Sequence, residues 1–76
     1  MIKISLIHGP NLNLLGEREP EIYGHTRLAD IDRELRRLGG ELGIKVEPFQ
    51  SNSEGEIVTR IQKARGKVDA LLINPA

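Results

Sequence analysis

Seventy-six residues allow one small domain at most, with a modest share of its surface buried and a marginal core. Cysteine is absent, so neither a disulfide framework nor a thiolate metal site can staple the chain, and a reducing cytoplasmic setting is expected. Eleven basic residues balance eleven acidic ones with the signs interspersed, which disfavours nucleic acid or an anionic membrane as partner and points to a small molecule.

Ile2 to Ile7 is β-branched and nearly continuously apolar toward its end, the pattern of a strand covered on both faces. His8-Gly9-Pro10-Asn11 breaks that pattern, and the stretch to Gly24 is too rich in glycine and proline for regular structure, so a long loop is expected. Thr26 is positioned to cap a helix whose apolar residues Leu28, Ile31, Leu35, Leu38 and Leu42 predict one buried stripe. Asp30, Arg33, Glu34, Arg37 and Glu41 make its polar face, Gly39-Gly40 weaken its last turn, and Gly43 is a natural stop.

A second strand follows over Lys45 to Gln50, and Pro48 marks it as an edge strand because proline cannot donate to a ladder. Ser51-Asn52-Ser53 supplies N-cap side chains for a second helix with the stripe Ile57, Ile61, Ala64 and an end near Gly66. Asp69 to Asn74 contains an uninterrupted Ala-Leu-Leu-Ile run, the pattern of a central parallel strand. Apolar stretches of this kind are far shorter than the roughly 20 residues that span a bilayer, and Met1-Ile2-Lys3 opens no signal peptide, so a soluble, unexported protein is expected.

The order β-α-β-α-β with right-handed crossovers predicts an α/β, doubly wound parallel sheet of strand order 2-1-3 with one helix per face. Ligands of such sheets sit beyond the carboxyl ends of the strands where the order reverses, here at His8 to Asn11 and Asn74 to Ala76. The third strand would be left without a neighbour, an exposed apolar edge that invites pairing. Residues 1–76 are therefore expected to be an incomplete part of a larger doubly wound domain, truncated, partly represented or completed by another chain.

Several side chains in these segments carry possible chemistry. Tyr23 follows Arg18 in a loop bounded by Gly16 and Gly24, the makings of a hinged lid. A tyrosine acts as a base near neutrality when a cation stabilises its phenolate, and Arg18 is the candidate cation; alternatively the ring packs beneath the loop and Arg18 is solvated. Asn11 and Asn74 can each present an amide to a polar ligand, or serve the local backbone of a turn. His8 and His25 are too few, and too far from an acidic ligand pattern, to suggest a metal site. Gly9-Pro10-Asn11 lacks the glycines and the Gly-Lys-Ser/Thr ending of a phosphate loop.

Four ordered stretches, His8 to Gly16, Arg18 to Gly24, Gln50 to Glu56 and Ile73 to Pro75, resemble successive signatures of the type II dehydroquinases. The resemblance implies a flavodoxin-like fold, of which residues 1–76 would be the N-terminal part of one domain. It also implies a cytoplasmic lyase of the shikimate pathway that dehydrates 3-dehydroquinate to 3-dehydroshikimate by anti elimination through an enolate. The family works without metal or organic cofactor and assembles as a homo-oligomeric dodecamer of trimers. On this match Tyr23 is the base, Arg18 lowers its pKa, Asn11 helps hold the ordered water and enolate oxygen, and Asn74 binds substrate. Where the family often has asparagine this chain has His8, and neither His8 nor His25 matches the general-acid histidine, which in the family belongs to the C-terminal half. The isolated chain is accordingly expected to be inactive. Two alternatives stand beside the enzyme: an interaction fragment that docks through its third strand, and a flavodoxin-like ligand-binding module.

Overall fold

A computed structural model describes residues 1–17 and 24–76. In chain order the elements are strand β1 (Ile2–His8), a 3-10 turn (Leu12–Leu14), helix α1 (Leu28–Glu41), strand β2 (Ile44–Gln50), helix α2 (Glu54–Ala64) and strand β3 (Ala70–Asn74). The three strands form a parallel sheet in the order β2-β1-β3, the expected α/β topology. Pro48 thus sits on an edge strand, where its missing N–H costs no ladder bond on the open side.

Parallel register puts Leu6 beside Pro48 and Leu72, and His8 beside Gln50 and Asn74. Because successive side chains alternate between faces, one row of β1 meets α1 and the other meets α2. Asp32 of α1 reaches His8, and Gly39 of α1 lies against Val46. On the opposite face Arg60 of α2 stacks over the Phe49 ring, 4.8 Å from its centroid. Ile57 lines a cleft there with Ile7 and Ile73. The two faces meet at β1, where Leu6 and Ile7 are the most deeply buried apolar side chains.

Helix α1 departs from the sequence expectation at both ends. Its N-cap is Arg27, not Thr26, because the Asp30 carboxylate reaches back to accept the Arg27 amide at 3.0 Å. Its buried stripe also turns away from the last two expected leucines: Leu38 and Leu42 are exposed, and Gly39 is buried in their place. The cause is a close approach to β2. A Cβ on Gly39 would lie 2.8 Å from the Ile44 carbonyl oxygen and 2.9 Å from Val46 Cγ2. The sheet-facing line is therefore Leu28, Ile31, Asp32, Leu35 and Gly39, and Gly39 is the point of contact while Gly40 faces outward. The outer face carries Asp30–Arg33, Glu34–Arg37 and Arg37–Glu41 pairs, all solvated and each contributing little.

Helix α2 begins as the sequence indicates: Ser53 is the N-cap and its hydroxyl accepts the Glu56 amide at 3.2 Å. Ser51, buried, donates to the Glu56 carboxylate and accepts the Ser53 amide at 3.0 Å, closing the turn between β2 and α2. Strand β3 is not central among the described residues. It forms the other edge of the sheet, and Leu71, Leu72 and Ile73 are 41, 52 and 41% exposed, since no described element lies beyond them.

Two outcomes test this packing. Gly→Ala within a helix ordinarily stabilises by about 0.5–1 kcal/mol, and Gly40→Ala, whose Cβ meets nothing, should raise the urea midpoint accordingly. Gly39→Ala should lower it, by about 1–3 kcal/mol, because its Cβ collides with backbone. Asp30 is held below the usual carboxylate range by the Arg27 amide and then by Arg33. Its contribution is therefore complete above the ordinary aspartate range and is lost as pH falls through the depressed value. Acid titration followed by circular dichroism should show a larger loss of helix in the wild-type chain than in Asp30→Asn.

Candidate active site

At the carboxyl ends of the three strands the ladders run one residue further than the strands. The Gly9 amide donates to the Asn74 carbonyl at 2.8 Å, and the Ser51 amide donates to the His8 carbonyl at 3.2 Å. The β1 and β3 ends come so close that a Cβ on Gly9 would lie 2.5 Å from the Pro75 carbonyl oxygen. Only a glycine permits that approach. It draws the segments after β1 and β3 together at the point where strand order reverses, the position at which doubly wound sheets take ligands.

Asn11 turns the chain out of this contact with a left-handed backbone, φ 69, which asparagine tolerates better than most residues. Its amide donates to Asn52 Oδ1 at 2.9 Å, and the same oxygen accepts Gln50 Nε2 at 3.0 Å. Gln50 Nε2 also reaches the Gly9 carbonyl at 3.2 Å. The turn is thus held by its backbone and by β2-side residues, while the Asn11 side chain has no hydrogen bond among the described residues and is exposed. Asn74 differs. Its Oδ1 accepts the Ala76 amide at 3.1 Å, a local turn contact, which leaves the Nδ2 hydrogens for a ligand.

Arg18 and Tyr23, the expected cation and base, lie outside the described residues, as does most of the expected lid. The stems of that segment are described. Gly16 has φ +83, and a Cβ there would lie 2.7 Å from the Thr26 carbonyl oxygen and 2.9 Å from that of His25. The chain therefore leaves at Gly16 and returns at His25-Thr26 through touching backbones. Any side chain at Gly16 would force these stems apart.

Gln50, Asn52 and the His8–Asp32 pair are parts of this region that the sequence did not single out for chemistry. For Asp32 a signal existed: it stands one helical turn after Leu28 on the sheet-facing stripe, where an acid needs a partner. His8 Nε2 lies 2.8 Å from Asp32 Oδ1, and His8 is 4% exposed. Gln50 and Asn52 carry no comparable signal, since their role depends on where β2 ends relative to Gly9.

A cleft on the α2 face runs beneath the strand ends between Ile7, Gly9, Ile57, Ile73 and Pro75. A second groove, lined by Ile61, Ala64, Val68 and Leu71, lies at the opposite end of β3 and is the uncovered flank of that strand. Among the described residues no three histidine, aspartate or glutamate side chains converge as metal ligands. No described helix is long and apolar enough to cross a membrane.

The family model for dehydroquinase class II matches residues 2–76. The catabolic 3-dehydroquinase of Penicillium rubens is 60% identical over 72 residues, which cover 95% of this chain and 46% of that protein. The 3-dehydroquinate dehydratase of Geotalea daltonii is 59% identical over 75 residues, 99% of this chain and 52% of that one. The crystal structure of type II dehydroquinase from Butyrivibrio crossotus superposes with a TM-score of 0.91 at 41% identity, over 99% of this chain and 52% of the other. The chain thus spans about half the length of these relatives. With a family match over nearly every residue and a fold that superposes over the chain on a solved type II dehydroquinase, this chain belongs to the class II dehydroquinases, the 3-dehydroquinate dehydratase family.

Proposed function

We propose that this chain contributes the base and enolate-facing side of a site that dehydrates 3-dehydroquinate to 3-dehydroshikimate. The observation that carries this function is the contact of the β1 and β3 ends through Gly9, with the exposed side-chain carboxamide of Asn11 and the Nδ2 of Asn74 on the two emerging segments. Tyr23, as phenolate beside the Arg18 guanidinium, takes the proton next to the substrate ketone. The electron pair of the broken C–H bond passes into the carbonyl as an enolate. Asn11 steadies the enolate oxygen and its water, and Asn74 grips the substrate. Collapse of the enolate forms the new double bond and expels the hydroxyl group, which needs a proton to leave as water. No cofactor enters this scheme, and the resemblance extends it to a cytoplasmic homo-oligomer.

Neither histidine of this chain suits the acid. His8 is buried with its Nε2 bonded to Asp32, and His25 stands at the loop stem, matching no acid of the family pattern. General-acid catalysis is typically worth about a hundred- to ten-thousandfold. The acid in this proposal comes from residues outside these 76, in the half of the relatives that the chain does not match. A second function, docking onto another polypeptide, draws on the uncharged and exposed β3, and a concentration-dependent folding transition is its signature.

Turnover of 3-dehydroquinate, followed by ultraviolet absorbance of the conjugated enone product, tests the assignment. The 76 residues alone should give no measurable rate, and adding the unmatched half of the Geotalea daltonii relative should restore one. In that mixture Tyr23→Phe should lower the rate by about a hundredfold or more. Turnover by the chain alone would refute an external acid, and undiminished turnover by Tyr23→Phe would refute the base.

A further inference from the structure

Helix α1 is fastened to the sheet unevenly. Its carboxyl half is pinned to β2 where Gly39 meets Ile44 and Val46, and its main packing is against that edge strand. Among the described residues its amino half meets the central strand through one directional contact, His8 Nε2 to Asp32 Oδ1 at 2.8 Å. With the carboxylate as acceptor, Nε2 carries the hydrogen. Leu28, Ile31 and Leu35 lie on the same side of the helix, but apolar contacts are non-directional and leave a helix free to slide or rotate by small amounts.

The two ends of this bond are also the two ends of the segment that the proposed reaction uses. His8 is the last residue of β1, immediately before the Gly9-Pro10-Asn11 turn, and lies in one row with Gln50 and Asn74. Asp32 stands in the second turn of α1, which begins just after the stem where Thr26 meets Gly16. At 4% exposure the His8 ring lies beneath the strand-end surface, with its Nε2 committed to Asp32. A part-buried hydrogen bond between polar side chains often adds no more stability than apolar side chains of the same volume would, whereas its directionality sets a fixed geometry.

We propose that His8 is a positioning residue, whose bond to Asp32 sets the spacing between the end of β1 that leads into the Asn11 turn and the amino-terminal half of helix α1. The purpose of that spacing rests on the dehydratase function proposed above, whereas the positioning itself is read without substrate. Replacing His8 by glutamine keeps an N–H donor near the place of Nε2, and replacing it by leucine keeps volume but no donor. Asparagine is polar yet too short to reach Asp32.

Amide hydrogen exchange on the full 76-residue chain separates these cases. His8→Leu and Asp32→Leu should speed exchange at Leu14, Glu17 and Ile31 by about tenfold or more, with β2 and α2 amides little changed. His8→Gln should stay within about twofold of the wild type at every one of these sites. If His8→Leu fails to fold, His8→Asn supplies the same comparison. A uniform rise across the whole chain, or no rise, would overturn the inference, as would failure of glutamine to rescue. In an active mixture with the unmatched half of the relative, His8→Leu should lower kcat about tenfold with little change in KM. The exchange pattern with unchanged kcat would show that the positioning does not serve the reaction. Absence of turnover by the wild-type mixture would count against the dehydratase function and leave the exchange result to decide the positioning.

Discussion

Everything in this molecule is organised by the hydrogen bonding of β1 on both sides. It is the shared partner of β2 and β3, and its apolar residues are the deepest in the core. A strand bonded on both sides cannot shift by one residue without sending its buried row to the wrong face. The register that pairs His8 with Gln50 and Asn74 is consequently also the register that brings three polar strand ends together. Fold and site are one constraint here, because the last buried turn of β1 leads directly into the turn that bears Asn11.

Two close backbone approaches carry that constraint outward. Gly9 lets the β1 and β3 segments touch, and Gly39 lets α1 settle on β2. Both are short of space by the width of a methyl group, so each glycine is required by contact and not by flexibility. The core among the described residues is small, and β3, with no described element beyond it, is half exposed. The chain spans about half the length of its relatives, and among its described residues the β3 flank is the largely uncovered side of the sheet.

The candidate site was legible in unequal parts. Tyr23 and Arg18 were found by residue chemistry and by resemblance, and both fall outside the described residues, so their roles stand as part of the proposed function. Asn11 and Asn74 look alike in sequence, yet the turn after β1 is held by backbone and by Asn52, while Asn74 spends its own oxygen on Ala76. The two asparagines therefore offer different atoms to a ligand. Asp32 was the residue whose type contradicted its position, an acid on an otherwise apolar stripe. That contradiction is resolved by a histidine twenty-four positions earlier, a distance over which no local pattern operates.

The sequence by itself determined the number and order of the strands and α-helices, though not the 3-10 turn at Leu12–Leu14, and also the edge position of β2 and the cap of α2, because these follow from local periodicity, from proline's missing donor and from serine's ability to bond a nearby amide. It also determined the family, through four motifs spread along the chain. Tertiary structure decided the rest. Whether Leu38 or Gly39 faces the sheet and which polar side chains share the strand ends depend on the separation of elements distant in sequence. Those separations are set by packing and by hydrogen bonds formed only once the sheet has closed around β1.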